Sequence, residues 1–295
     1  MTEEYLIPYN KKVWKRPLDS IASDWVFTPG GLPFPSIEDL LKAAAGLPNI
    51  GYKEQAHFYY PKIGGISALF RALYKIVLDG DAEYVGGERV TSVKREENGL
   101  FCVNGSVVSR SLISTIPLPE LLLSLDNRNY GKLSERFDYN GVATVGIAVR
   151  GVTPDQTTVY IPNPKIIFHR YTWMSSLVPT RNSERSNLVA EVTIPKGGDF
   201  DPERMTDEVI RGLMDMRVIE DESSVLFTRF WFNKYGYPIY SLDHNAVREE
   251  AMSLLGNYGI KSVGRWGSWH YWNTDMIYKA VEDLFAHPGR ENGAL

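Results

Sequence analysis

Between Arg89 and Ile116 the chain carries three short strand-like stretches, RVTSVKRE, LFCVNG and SVVSRSLISTI, with the turn signals ENG and NG between them. An Asn-Gly pair flanked by alternating apolar residues is a strong hairpin signal, because the turn needs residues that tolerate positive φ. Helical patterns flank this block. Upstream, IGGISALFRALYKIVLDG repeats Ile66, Leu69, Phe70, Leu73 and Val77 at helical spacing, with Gly64 and Gly65 at a strand-to-helix turn. Downstream, PLPELLLSL opens a helix with proline early, where its missing N–H costs nothing. Strands joined by tight turns and interleaved with helices exclude a TIM barrel and a simple doubly wound sheet. They predict an α/β or mixed α+β chain with mixed sheets.

The remaining pattern agrees. Residues 1–35 read as irregular and end in the turn cluster TPGGLPFP. SIEDLLKAAAG reads as a helix with Ser36 as N-cap, Asp39 at the third helical position and Gly46 at the close. AHFYYPK reads as a short strand. A second β-rich block runs through VATVGIAVRG, TTVYIP, IIFHRYTW and NLVAEVTI. A helix near 202–218, a long strand SSVLFTRFWFNKY, a helix near 243–257 and a last helix complete the chain. At 295 residues, a chain sits where one domain tends to become two. The segments are drawn as an N-terminal arm with a substrate-domain helix (1–55), a nucleotide-binding subdomain in part (56–118), a substrate domain (119–258) and a C-terminal turn and helix (259–295).

Several function classes are excluded. A net charge of −4 gives nucleic acid no electrostatic footing. The five histidines are scattered, so no metal site is expected. Neither G-x-S-x-G nor H-E-x-x-H occurs. Cys102, the single cysteine, lies in apolar LFCV and reads as inert core. No segment approaches the roughly eighteen apolar residues of a membrane span, and the N-terminus has no secretory pattern, so a cytoplasmic chain without membrane contact is expected. Aromatic residues make up 12% of the sequence, a content that suits a cleft for a sizeable organic ligand.

The densest aromatic stretch is GRWGSWHYWNTDMIYKAVEDLF, Gly264–Phe285, directly before an amphipathic helix with Ile277, Ala280, Val281 and Leu284 on one face. It reads either as a ligand turn, with Gly264 and Gly267 permitting close backbone approach, or as a packed aromatic turn with Asn273 or Thr274 as N-cap. Arg170 in HRY reads either as a fork for an anion or as a salt-bridging arginine. Trp14 in YNKKVW and Tyr237 in GYPIYSL likewise read as cleft residues or as ordinary buried aromatics. His169 and His270 have no carboxylate at dyad spacing and read as structural.

In order along the chain, YLIPYNKKVWKRPLDSIASDW, FYYPKIGGISALFRAL, LISTIPLPEL, GIAVRG, IIFHRYTWMSSLVP, GYPIYSL and GRWGSWHYWNTDMI resemble blocks of UDP-galactopyranose mutases and protoporphyrinogen-oxidase-like flavoproteins of the amine oxidase superfamily. The resemblance implies part of a Rossmann-like FAD-binding domain plus a substrate domain with a mixed or antiparallel sheet. It implies FAD as cofactor, with chemistry at flavin N5 and no assigned catalytic side chain. Val90, Val93, Gly264, Arg265, Gly267, Thr274 and Asp275 are implied at the cofactor, and Trp14, Arg170, Tyr237, Tyr271 and Asn273 at the substrate. No G-x-G-x-x-G occurs in this sequence, so the FAD site is expected to be incomplete in this chain, completed by a separate Rossmann-type segment or through oligomerisation. The arginine that follows the equivalent of Trp25 in the mutases is absent from WVFTPGG, which weighs against a mutase. The expected activity is oxidation of a small-molecule substrate; a sugar-nucleotide mutase and a flavin-free binding module are the alternatives.

Overall fold

In the computed structural model, residues 2–27, 36–47, 59–125, 128–177 and 184–286 are described. The N-terminal stretch read as irregular is helical: α1 spans Ile7–Trp14. Pro8 sits in its first turn, where a missing N–H is harmless. Side chains stitch the turns together, since Asn10 Nδ2 donates to the Leu6 carbonyl at 2.8 Å and Trp14 Nε1 donates to Asn10 Oδ1 at 3.0 Å. Lys15, in the left-handed region at φ 53°, ends the helix. The turn cluster at 28–35 lies outside the described residues. Helix α2, Ile37–Ala44, has the expected cap, the Asp39 N–H donating to Ser36 Oγ at 3.1 Å. The strand expected at AHFYYPK is not formed at 59–62, and its first residues lie outside the described set. Helix α3 is Ile66–Asp79, entered through Gly64 and Gly65 at φ 79° and 60°.

The hairpin block forms β1 (Val93–Arg95), β2 (Phe101–Val103) and β3 (Val107–Ser109), an antiparallel sheet. β1 starts four residues later than the sequence pattern implies. Asn104 explains this: its side chain accepts from the Thr91 and Ser92 N–H groups and donates to the Arg89 carbonyl, so residues 89–92 bond a turn residue instead of a strand. β4, Leu112–Ser114, leaves this sheet and is followed by α4, Leu118–Ser124. Helix α5, Arg128–Glu135, has no counterpart in the sequence reading; its octapeptide RNYGKLSE is polar and contains a glycine, with Tyr130 and Leu133 as its large apolar side chains. β5 (Tyr139–Arg150), β6 (Thr158–Tyr160), β7 (Arg170–Trp173) and β8 (Arg185–Pro195) follow, then α6 (Pro202–Asp215) and β9 (Val225–Pro238). The chain closes with α7 (His244–Tyr258), β10 (Ile260–Ser262), a single helical turn α8 (Gly264–Gly267) and α9 (Thr274–Ala286).

The chain divides into two compact units whose segments interleave, unlike the four contiguous segments drawn on the sequence. One comprises Met1–Leu18, Tyr59–Gly87 and Tyr139–Tyr237; the other Asp19–Phe58, Glu88–Asp138 and Pro238–Leu295. The first is built on a five-stranded sheet of order β6-β7-β8-β5-β9, with β5 and β8 antiparallel over eleven residue pairs. Its core runs from Ala143, Val145 and Ile147 through Leu188, Ala190 and Val192 to Val209 and Leu213 of α6. The second unit holds the hairpin sheet and a two-stranded parallel pair, β10 beside β4. The fold is thus mixed α/β with both parallel and antiparallel pairing. No helix among the described residues is long and apolar enough to cross a membrane.

Gly236 shows how tightly β9 lies on β5. A Cβ there would meet Val142 Cβ and the Val142 backbone nitrogen, each at 2.9 Å. Gly236→Ala is therefore expected to lower the unfolding free energy by about 1–3 kcal/mol, the usual cost of overpacking. Urea denaturation checks this, and an unchanged midpoint would refute it.

Candidate functional site

In the first unit the polar residues converge on one carboxylate. The β7–β8 register sets Arg170 opposite Glu191. The guanidinium forks onto it, Nε to Oε1 at 2.9 Å and Nη2 to Oε2 at 2.8 Å. The Tyr237 hydroxyl donates to the same Oε2 at 3.0 Å. Arg170 thus takes the salt-bridging geometry, and the residue that decides this, Glu191, went unremarked in the sequence; its place in NLVAEVTI, an acid inside an apolar strand, was the available signal. Trp14 packs edge-on to Tyr237 at 6.3 Å, and Asn140 clamps its backbone, Nδ2 donating to the Val13 and Trp14 carbonyls at 3.1 and 2.7 Å.

His169 is enclosed beside this network, 1% exposed, with Nδ1 3.2 Å from Thr193 Oγ1 and Nε2 3.9 Å from Glu191 Oε2. Burial, then the charges of Arg170, Lys12 and Lys15, pushes it down to about 3. It is a neutral, hydrogen-bonded structural histidine, as read from the sequence. Lys12, 8% exposed, donates to the Ile161 and Asn163 carbonyls at 3.1 and 2.8 Å, and burial brings it down to about 8. Tyr9, stacked on Tyr5 and edge-on to Tyr160 and His169, adds an aromatic wall.

The second unit holds the aromatic turn. The parallel strands β4 and β10 end at Ser114 and Ser262, and the Val263 N–H donates to the Ser114 carbonyl at 2.9 Å. The chain then turns through Gly264 at φ 94°, where a Cβ would meet nothing within 4 Å. Gly267 is different: a Cβ there would meet the Ser114 carbonyl at 3.0 Å and Ser262 Oγ at 3.2 Å, so protein packing alone accounts for this glycine. Trp269 is fully buried at φ 54°, edge-on to Phe137 and Trp266. Arg265 lies over the Tyr271 ring at 4.3 Å and donates to the Trp272 carbonyl at 3.3 Å. The Tyr271 N–H donates to the Tyr240 hydroxyl at 3.0 Å, and the Asn273 carbonyl opens α9 by accepting from the Ile277 N–H at 3.1 Å. Thr274 and Asp275 are exposed in its first turn. Val93 is buried core, pairing with Val103, while Val90 lies in the coil that Asn104 holds. Trp14, Arg170 and Tyr237 therefore belong to one unit, and Tyr271, Asn273 and the implied cofactor residues to the other.

At the carboxyl ends of β4 and β10 the Ser114 hydroxyl is buried without a hydrogen-bond partner among the described residues, and the outer face of Gly264 is open. Ligands of α/β sheets bind outside the carboxyl ends of parallel strands, and the unobstructed backbone at Gly264 leaves room for a group to approach the chain there. No group of histidine, cysteine and carboxylate ligands able to hold a metal occurs among the described residues.

The fold is one found in solved mutase, oxidase and isomerase enzymes. The structure of a reduced UDP-galactopyranose mutase superposes with a TM-score of 0.84 at 20% identity, covering 98% of this chain and 65% of that one. A "Putative protoporphyrinogen oxidase from Exiguobacterium sp. 255-15" gives 0.56 at 16% identity over 74% of this chain and 51% of that one. A CLA-producing fatty acid isomerase from P. acnes gives 0.54 at 18% identity, covering 77% and 52%. No family model matches the sequence. The resemblance read from the sequence blocks holds at the level of the fold, and the chain spans 65% of the mutase's length.

Two predictions follow from these environments. His169, His244 and His270 are all held neutral, at about 3, 4 and 3 against an ordinary 6.5, each chiefly by burial. A histidine depressed in the fold takes its proton only on unfolding, so its stabilising effect is complete above pH 6.5 and falls as the pH drops toward the folded value. Between pH 6.5 and 5 each should remove up to about 1.4 kcal/mol per pH unit. A urea midpoint that stays constant from pH 7 to 5 would contradict it. Separately, Trp269→Ala should cost about 3–5 kcal/mol, measured by the same denaturation.

Proposed function

We propose that the chain is the substrate-binding and flavin-facing part of an FAD-dependent oxidoreductase of the amine oxidase or protoporphyrinogen oxidase-like class. The observation that carries this reading is Glu191. Arg170 forks onto it and the Tyr237 hydroxyl donates to it, so the guanidinium charge at the polar end of the Trp14–Tyr237 wall is already compensated. A compensated site favours a neutral or cationic substrate over one bearing a diphosphate. The open backbone at Gly264 would meet the flavin, with Arg265 and Tyr271 fixing the turn that presents it. When bound, flavin supplies two-electron redox chemistry, and the protein positions substrate and excludes water.

The mutase reading is the second. It is favoured by the extent of the superposition on the UDP-galactopyranose mutase structure. The remaining share of the FAD site is assigned to a dinucleotide-binding segment. The exposed apolar side chains Ile66, Leu69, Phe70, Leu73 and Val77 of α3, 42–54% accessible, form the kind of patch such a segment covers.

Calorimetric titration separates the readings. The oxidoreductase reading expects UDP to bind no better than uridine, and Glu191→Gln, which frees the arginine and tyrosine donors, to create a preference for UDP. Wild-type preference for UDP by about a hundredfold, some 2.7 kcal/mol, would transfer the assignment to the mutase. Loss of FAD retention and of flavin reduction, even with the dinucleotide-binding segment supplied, would leave the flavin-free binding module.

A further inference from the structure

The C-terminal ends of β5 and α6 enclose a cleft of about 590 Å³ that is separate from the Glu191 network in its residues. Its floor is apolar: Val149, Trp173, Met214 and Ile219. Two arginines, Arg150 and Arg217, stand at its rim, both exposed. Neither guanidinium makes an ion pair among the described residues. The volume is in the range of small-molecule sites, roughly 300–1,000 Å³.

The backbone at Arg217 adds an independent argument. Helix α6 closes in a Schellman motif, the Val218 N–H donating to the Leu213 carbonyl at 2.9 Å and the Arg217 N–H to the Met214 carbonyl at 2.8 Å. The residue at the left-handed position of this motif is usually glycine. Here it is Arg217, at φ 57°. A residue that carries a Cβ into this region is strained relative to glycine, and what it gains in this place is a guanidinium at the mouth of the cleft.

We infer that this cleft binds an amphipathic monoanion, with its carboxylate between Arg150 and Arg217 and its apolar body against Trp173 and Met214. Charge complementarity fixes the head group: two unpaired arginines face one acid, Glu220, among the described lining residues, leaving an excess of one positive charge. A planar guanidinium pair suits a carboxylate, which can accept from both forks. The apolar floor fixes the rest of the molecule, since burying it there removes hydrocarbon from water. A neutral ligand would leave the arginines unused, and an inorganic anion would leave the floor bare.

Octanoate and octanol share a chain and differ only in the head, which makes them suitable probes. Calorimetry on the full chain should show saturable octanoate binding and much weaker octanol binding. Binding should alter tryptophan emission in the wild type, and Trp173→Phe should bind octanoate with that emission change lost. Arg150→Gln should weaken octanoate about tenfold or more, as expected when a charge-assisted contact is removed. Arg217→Gly is the sharper variant, because relief of the left-handed strain should raise Tm while octanoate affinity falls. Equal affinity for octanol and octanoate, unchanged octanoate affinity in both arginine variants, an emission change that survives in Trp173→Phe, or no saturable binding would each overturn the assignment.

Discussion

Glu191 is the point on which the first unit turns. Its strand, β8, is paired on both sides, with β5 and β7, so the register is fixed twice, and Glu191 is set against Thr144 on one side and Arg170 on the other. Its carbonyl also accepts from the His169 N–H at 2.9 Å. A half-buried carboxylate in this position is expensive without partners, and three donors from Arg170 and Tyr237 supply them. Removing any one of them would strand charge or a hydroxyl in a poorly solvated place. The network therefore orients Arg170 and Tyr237, and Tyr237 in turn sets the edge against which Trp14 packs. The aromatic wall and the polar end are a single mechanical object.

The second unit solves a different problem. Two short parallel strands cannot bury much, so the turn after them is stabilised by aromatic packing: Trp269 fills the interior and Arg265 is held over Tyr271. Its two glycines do unlike things. Gly267 makes room for the Ser114 carbonyl, whereas Gly264 supplies a positive φ and leaves its outer face open. Sequence alone offers no means of separating a glycine needed by the protein from one available to a ligand, since both read as G in GRWG. The distinction lies in which backbone comes within about 3 Å, and that is a tertiary fact.

Much of the architecture was legible because it rests on local signals. The Ser36 cap, the Gly64–Gly65 entry to α3 and the hairpins after Arg95 follow from turn and cap chemistry, and each is present. What escaped was decided by contacts distant in sequence or by side chains competing for backbone. The late start of β1 is the work of Asn104, whose amide holds residues 89–92. Helix α1 forms in a stretch rich in proline and aromatics because Asn10 links Leu6 to Trp14. The order of the blocks led to the fold. It did not lead to Glu191, because an acid in a strand gains meaning only once the opposite residue is known.

Fold and charge pattern carry different information here. At 20% identity, a superposition of 0.84 fixes the path of the backbone and leaves the chemistry of individual side chains open. The backbone presents an arginine and a tyrosine toward one place, and a third residue, Glu191, accepts from both. With Glu191 beneath them, the guanidinium and the phenol donate three hydrogen bonds to one carboxylate, two of them as a bidentate fork. One carboxylate on a central strand thus decides where the donors of Arg170 and Tyr237 point, and it does so without altering the fold at all.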